Sequence, residues 1–425
     1  MLRNFSPLWI TPATCVFALA TGAVSGAAGS AASAGLEPYA GKWQLTLADT
    51  GTSFRASCLD LKIAAGGEAR AELVWRWGSV VSLKQGPGGF EAGKKGELLV
   101  YHGDFAEPLA LRRIGNALEG SVKLKDGKLI HVIGRRDAGT VDPSGTWDLA
   151  AEHPEGKKTG VLTIRNDGAG HLQGQLKDAE GKETLVEEVS LDGNQLRVQV
   201  SVPRQGREAQ RALLSSELRG DVLVGTAEAP GAKPERMRLE GQRRRQWGKP
   251  MALLREKGLE GWRPREESGR FGWTCEGGVL TNADHDVDIA TTETFKDFKL
   301  HVEFKTVEKG NSGVYLRGRY EVQIEDDYGK GVESHGMGAI YSRIPQRKNA
   351  SKPAGTWQTY DITLVDRYVT VVLNGETIID NERLEGITGG AEDASESSPG
   401  PLLLQGDHGK VWFRNVVVTP ALEGQ

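Results

Sequence analysis

Three polar side chains alternate with apolar ones along Tyr320-Glu321-Val322-Gln323-Ile324-Glu325. In an extended strand alternate side chains share a face, so Tyr320, Val322 and Ile324 point one way and Glu321, Gln323 and Glu325 the other. Successive members of the polar row then stand about 6.5–7 Å apart, at ~3.3 Å rise per residue. A row of this kind is either the solvated face of a sheet or a set of acceptors lining a cleft. The preceding segment, Asn311-Ser312-Gly313-Val314-Tyr315-Leu316-Arg317, offers Tyr315 and Arg317 in the same alternation and Asn311 at its start. Carboxylates beside an arginine and a tyrosine suit a cleft that binds sugar hydroxyls. His408 in Asp407-His408-Gly409 and His335 in Ser334-His335-Gly336 add side chains that exchange protons near neutral pH, although each also suits a turn or loop.

These residues need a β scaffold. From Ile289 onward, segments of period two recur at 300–304, 312–317, 320–325, 360–365, 369–373 and 411–418, with almost no helical periodicity. A stretch of about 170 residues with long alternating strands and no helices reads as a two-sheet sandwich or jelly roll. Asn374-Gly375 is the signature of a type I′ hairpin turn. Residues 386–399, rich in Gly, Ser, Glu and Asp, read as a solvated loop between strands.

Upstream the texture differs. Gly41-Lys42-Trp43-Gln44-Leu45 recurs as Gly145-Thr146-Trp147-Asp148-Leu149, and Val132-Ile133-Gly134-Arg135-Arg136 as Leu239-Glu240-Gly241-Gln242-Arg243, so a duplication is expected. Alternation at Leu59, Leu61 and Ile63 and at Leu196, Val198 and Val200, with Asp-Gly pairs at 126–127 and 192–193, predicts antiparallel meanders. Each copy reads as a small β-barrel or β-sandwich, with Trp43 and Trp147 closing one end of its core. The expected organisation is a leader over 1–34, β repeats over 35–140 and 141–247, and a concanavalin-like jelly-roll sandwich over 250–421, an all-β chain throughout. Neither repeat carries a catalytic constellation; both read as substrate-binding modules or modules contacting a cell surface or polysaccharide.

Composition narrows the classes. Of 425 residues 56 are glycine and 17 proline, a glycine excess that fits many tight turns between short strands. Lys and Arg number 53 against 57 Asp and Glu, a net charge of −4, which lacks the basic surplus of a nucleic-acid binder. Residues 1–34 run from Arg3 through an apolar stretch to Ala32-Ser33-Ala34, the pattern of a cleaved secretory signal, too short in its apolar part to span a bilayer. A secreted or periplasmic bacterial protein without a membrane span is expected. Cys58 and Cys275, in different domains, read as buried free thiols.

The later segments form an ordered series: Lys296-Asp297-Phe298-Lys299-Leu300, the Asn311–Gly318 and Tyr320–Ile324 runs, Gly338-Ala339-Ile340-Tyr341, Gly355-Thr356-Trp357, Val372-Leu373-Asn374-Gly375, Leu404-Gln405, Asp407-His408-Gly409 and Phe413-Arg414-Asn415-Val416. Over about 250–420 the chain resembles the 3-keto-disaccharide hydrolase family. The resemblance implies a jelly roll that is secreted by bacteria and acts on glycosides oxidised at C3. A C3 carbonyl acidifies the C2 proton and leaves the C1 substituent in the β position. Such chemistry needs a base, a stabiliser for the enolate oxygen and an acid for the leaving group. On that footing Glu321 is the expected base, Arg317 the oxyanion stabiliser and His408 the acid or a second base. Gln323, Tyr341 and Gln405 are expected to hold hydroxyls, with Tyr315, His335 and Asn311 in binding roles. A divalent metal drawing on His335, His408, Glu321 and Asp326 stays open, since no spacing demands it. Two alternatives stand beside this reading. One is a non-catalytic carbohydrate-binding or scaffold protein. The other is a retaining glucanase of the laminarinase type, whose Glu-x-Asp-x-Glu is similar to the Glu321–Glu325 row except that Gln323 replaces the aspartate; such enzymes hold two carboxyl groups ~5–5.5 Å apart.

Overall fold

The computed structural model describes residues 35–422, apart from 49–56, 65–66, 76–79, 115–116, 137–140, 154–155, 168–170, 205–206, 230–234 and 268. The expected leader, 1–34, lies outside the described residues. Short alternating segments become strands throughout, and among the described residues there is no α-helix, only one 3-10 turn at Glu37–Tyr39. Among the described residues no helix is long and apolar enough to cross a membrane.

The first unit is a nine-stranded antiparallel meander in which the last strand, Leu129–Arg136, returns to pair with the first, Gly41–Ala48. A bridge between Gln85 and Phe90 joins the two ends of the sheet, so it curls around its own core. The second unit is a closed eight-stranded barrel from Gly145–His153 to Glu235–Arg243. The repeated motifs occupy equivalent places. Trp43 pairs with Arg136 and Leu45 with Gly134; Trp147 pairs with Arg243 and Leu149 with Gly241. Both indoles are fully buried, and each donates to the carbonyl four residues earlier, Tyr39 and Pro143. The glycine of each pair has a packing reason: a Cβ at Gly134 would meet Leu45 and Leu118 at 3.0 Å, and one at Gly241 would meet Leu149 at 2.9 Å and Leu223 at 3.0 Å.

The remaining strands form two facing sheets. The larger contains Val411–Pro420, Phe298–Thr306, Gln358–Val365, Tyr368–Leu373 and Glu376–Arg383 as its main run. The smaller runs Trp262–Pro264, Ile289–Thr291, Leu403–Leu404, Asn311–Leu316, Tyr320–Glu325. Between them lies one apolar core that includes Phe298, Phe304, Val314, Val322, Ile324 and Tyr360. The tight turn after Tyr368–Leu373 has φ of 53° at Asn374 and 85° at Gly375, the conformation type I′ requires.

The segment 386–399 is not the solvated loop its composition suggests. Ile387, Thr388, Ala391 and Glu396 are buried, because the segment folds down over the edge of the smaller sheet. Its carboxylates are matched by distant cations: Asp393 by Arg319, Glu392 by Arg263, and Glu396 by Lys42 of the first unit. Arg245, in the basic run after the second barrel, is half-buried and bridges Asp221 of that barrel and Asp297 of the sandwich. Cys58 and Cys275 are buried free thiols, and burial pushes the Cys58 thiol up to about 12.

Candidate active site

The face of the smaller sheet turned away from the core carries the polar residues. Ile289, Leu404, Val314 and Val322 share the core side through the pairs Ile289–Leu404, Val314–Leu404 and Val314–Val322. Alternation therefore puts Asp288, Gln405, Gly313 and Gln323 in one row of the opposite face, with Tyr315 and Glu321 beside it and Asn311 and Glu325 beyond. This face is covered: Glu321 is 4% exposed and Gln323 2%.

Glu321 is the centre of the arrangement. Its Oε2 lies 2.9 Å from the Tyr315 hydroxyl, which is also 2.9 Å from the Gly389 carbonyl. One hydroxyl proton cannot serve both acceptors. Burial pushes the Glu321 carboxyl up to about 8; the Tyr315 hydrogen bond and His408 oppose the rise, while Asp288 and Asp407 add to it. Gly313 faces the same carboxyl: a Cβ there would lie 2.5 Å from Glu321 Oε1.

Two further pairs border this dyad. Asp288 accepts from Arg265 Nη1 and from the Gly406 amide, both at 3.0 Å, and its carboxyl is raised by burial and by Asp407. Arg265 Nη2 is buried without a hydrogen-bond partner, a spare donor at the same place. His408 is exposed and hydrogen-bonded through Nδ1 to Asp407, which raises its pKa above the usual histidine value. Gln405 is buried with its Oε1 unmatched. Along the sheet, Asn311, Gln323, Tyr341 and His335 line a cavity of about 240 Å³ together with Glu325 and Lys330. His335 Nε2 stands 2.6 Å from Ser342 Oγ, with its ring 4.5 Å from that of Tyr341.

Residues 250–419 match the family model described as the 3-keto-alpha-glucoside-1,2-lyase-like domain. Over these residues the chain is similar to that family. Two solved structures from Parabacteroides distasonis, each described provisionally as a glycosyl hydrolase, are 27% and 25% identical. They cover 41% and 40% of this chain and 89% and 98% of their own, with TM-scores of 0.35 and 0.34. The carbohydrate-binding module CBM66 of Bacillus subtilis is 13% identical over 37% of this chain and 93% of its own, with a TM-score of 0.27. No curated protein matches the chain.

Within the lyase-like domain, the polar face brings together Glu321, Tyr315, His408 and Gln405, and the cavity brings together Gln323, Asn311, Tyr341 and His335. Arg317 is elsewhere. The strand ends at Leu316, and a left-handed turn with φ of 53° at Arg317 swings its side chain to Asp297, 2.9 Å away, and to the carbonyls of Lys296 and Glu396. It is a buried structural cation, because the alternation that would have aimed it into the cleft stops one residue earlier. Arg265, paired with Asp288, is the arginine whose charge acts on Tyr315. It and Asp288 gave no sequence signal beyond position next to short strands, while Asp407 sat unassigned beside His408. Among the described residues no three His, Cys, Asp or Glu side chains group as metal ligands, so His335, His408, Glu321 and Asp326 do not form a set. Glu321 and Glu325, the two outer carboxyls of the glucanase alternative, turn to different partners, Tyr315 and Asn311.

Proposed function

We propose that the lyase-like domain cleaves glycosides oxidised at C3 by removing the C2 proton and expelling the C1 substituent. The observation that carries this reading is Glu321, a buried carboxyl with a pKa of about 8, beside an exposed His408–Asp407 pair on the polar face of a domain similar to this family. A carboxylate made more basic by burial is suited to a weakly acidic C–H bond. Glu321 takes the C2 proton; the C–H electron pair forms the C2–C3 enolate, with charge on the C3 oxygen. The spare Nη2 donor of Arg265 suits that charge. Collapse of the enolate restores the carbonyl, forms the C1–C2 double bond and breaks C1–O, and His408 gives the departing oxygen a proton. Addition of water at C1 completes a net hydrolysis. Gln405, Gln323 and Asn311 provide hydroxyl contacts, and the cavity, below the ~300–1,000 Å³ of drug-sized sites, suits one sugar ring. The order of residues 1–34 supports export of the protein.

Incubation of the full chain with a 3-keto-disaccharide and with its unoxidised parent, each with and without chelator, tests the proposal by mass spectrometry. Loss of the keto form alone is expected. Loss of the parent sugar, or of neither, would overturn the reading.

A further inference from the structure

The 386–399 segment has two sides. One covers the polar face: Gly389 accepts from Tyr315, Thr388 Oγ1 accepts from the Glu321 amide, and a Cβ at Gly390 would lie 2.7 Å from the Tyr315 hydroxyl. The other side is packed on the first β unit, residues 41–136. Ile387, Ala391 and Ala394 form one apolar cluster with Cys58, Val74 and Val80 of that unit. Polar contacts surround the cluster. Lys42 Nζ lies 2.5 Å from Glu396 Oε1, in a charge pair whose glutamate is 1% exposed. Arg343, donating to the Ile387 carbonyl at 3.0 and 3.1 Å, is held in turn by Glu72 at 3.1 Å. In a sandwich standing alone, the apolar side of this segment would face water.

We propose that the first β unit is a working part of the reaction site: it clamps segment 387–396 against Tyr315 and Glu321, and Lys42 is a positioning residue. The inference rests on the proposed role of Glu321 and deepens it. Glu396 is the pin of the segment. Besides Lys42 it receives the Tyr320 hydroxyl at 3.0 Å and the Gly386 amide at 3.2 Å, and Arg367 stands 3.5 Å away. Removing Lys42 leaves a buried carboxylate short of countercharge at the seam, and the segment gains by moving toward water. Gly389 then withdraws from Tyr315, and water reaches Glu321. The charged and titratable groups facing Glu321 are Tyr315, Asp288, Asp407 and His408, with Arg265 on Asp288; none belongs to the first unit, so any effect of Lys42 must pass through the segment.

The test uses the full chain as wild type, Lys42→Ala and Lys42→Arg. Two measurements are made: the pH dependence of 3-keto-disaccharide cleavage, and labelling of Cys58 by a thiol reagent under native conditions, with peptide mapping to separate it from Cys275. In Lys42→Ala, Cys58 labelling should speed up about tenfold as the seam opens. The plateau rate should fall about tenfold, and the Glu321 limb should move to lower pH as burial is relieved. Lys42→Arg should restore all three. Wild-type protection of Cys58 together with an unmoved limb in Lys42→Ala would overturn the proposal, whatever happens to the rate. Should the wild type cleave no 3-keto sugar, the proposed function falls, and Cys58 labelling with carboxyl titration of Glu321 by ¹³C NMR decides the clamp alone.

Discussion

Replacing Glu321 by glutamine should stabilise the lyase-like domain in alkaline solution while removing its activity. The carboxyl is displaced from its ordinary 4.5 to about 8, chiefly by burial. A group whose folded pKa is raised contributes stability that is fully present below the unfolded value and lost as pH climbs through the folded one. The window here therefore runs from 4.5 to about 8. At ~1.36 kcal/mol per unit the loss is on the order of 5 kcal/mol, a large part of the stability of a typical domain. Glutamine is close in shape, keeps an acceptor for Tyr315 and cannot ionise, so the variant escapes the loss. The assay is urea unfolding at about pH 5 and about pH 9, read by proteolytic susceptibility of residues 250–420 so that the two β units do not mix into the signal. Wild type should lose several kcal/mol more than Glu321→Gln between the two conditions. Parallel losses in both proteins would refute the raised pKa and, with it, the basic carboxylate that the proposed chemistry uses.

Three other substitutions have defined outcomes. Tyr315→Phe removes the hydroxyl shared by Glu321 and Gly389, a hydrogen bond that favours the ionised carboxylate, so the rising limb of the pH–rate curve should move up by about one unit; a downward move would contradict this geometry. His408→Asn should slow cleavage about 10²–10⁴-fold for poor leaving groups and much less for a good one such as a nitrophenolate; equal losses on both would remove the histidine from leaving-group protonation. Arg317→Ala leaves Asp297 buried with Arg245 as its remaining cation, so thermal denaturation should register about 3 kcal/mol of lost stability. The pH–rate profile of that variant, measured below its transition, should match the wild type, and a shifted profile would return Arg317 to the site.

Much of the scaffold was legible because it depends on local alternation. The buried faces at Leu59 and Leu61, Leu196 and Val198, and Tyr320, Val322 and Ile324 are the ones the period of two marks. The Gly-x-Trp repeat was legible as well, and both indoles close their cores as expected. The Glu321–Glu325 row was visible as a row, but the burial of Glu321 was not, since what covers it comes from residues 386–399. That cover was misread because its acidic letters suggest solvent, whereas Arg263, Arg319 and Lys42 neutralise them from three remote parts of the chain. Arg317 shows the opposite failure: local alternation was extended one residue past a left-handed turn. Arg265 and Asp288 meet only because Trp262–Pro264 and Ile289–Thr291 pair across the sheet, and no local pattern announces that register.

The central claim is that Glu321 removes the C2 proton. A 3-keto-disaccharide carrying deuterium at C2 tests it directly, with wild type and Glu321→Gln compared by mass spectrometry of the released keto sugar. Wild-type cleavage should lose the deuteron to solvent and slow relative to the protiated substrate, while Glu321→Gln should neither cleave nor exchange. Cleavage that retains the deuteron, or exchange that persists undiminished in Glu321→Gln, would contradict it.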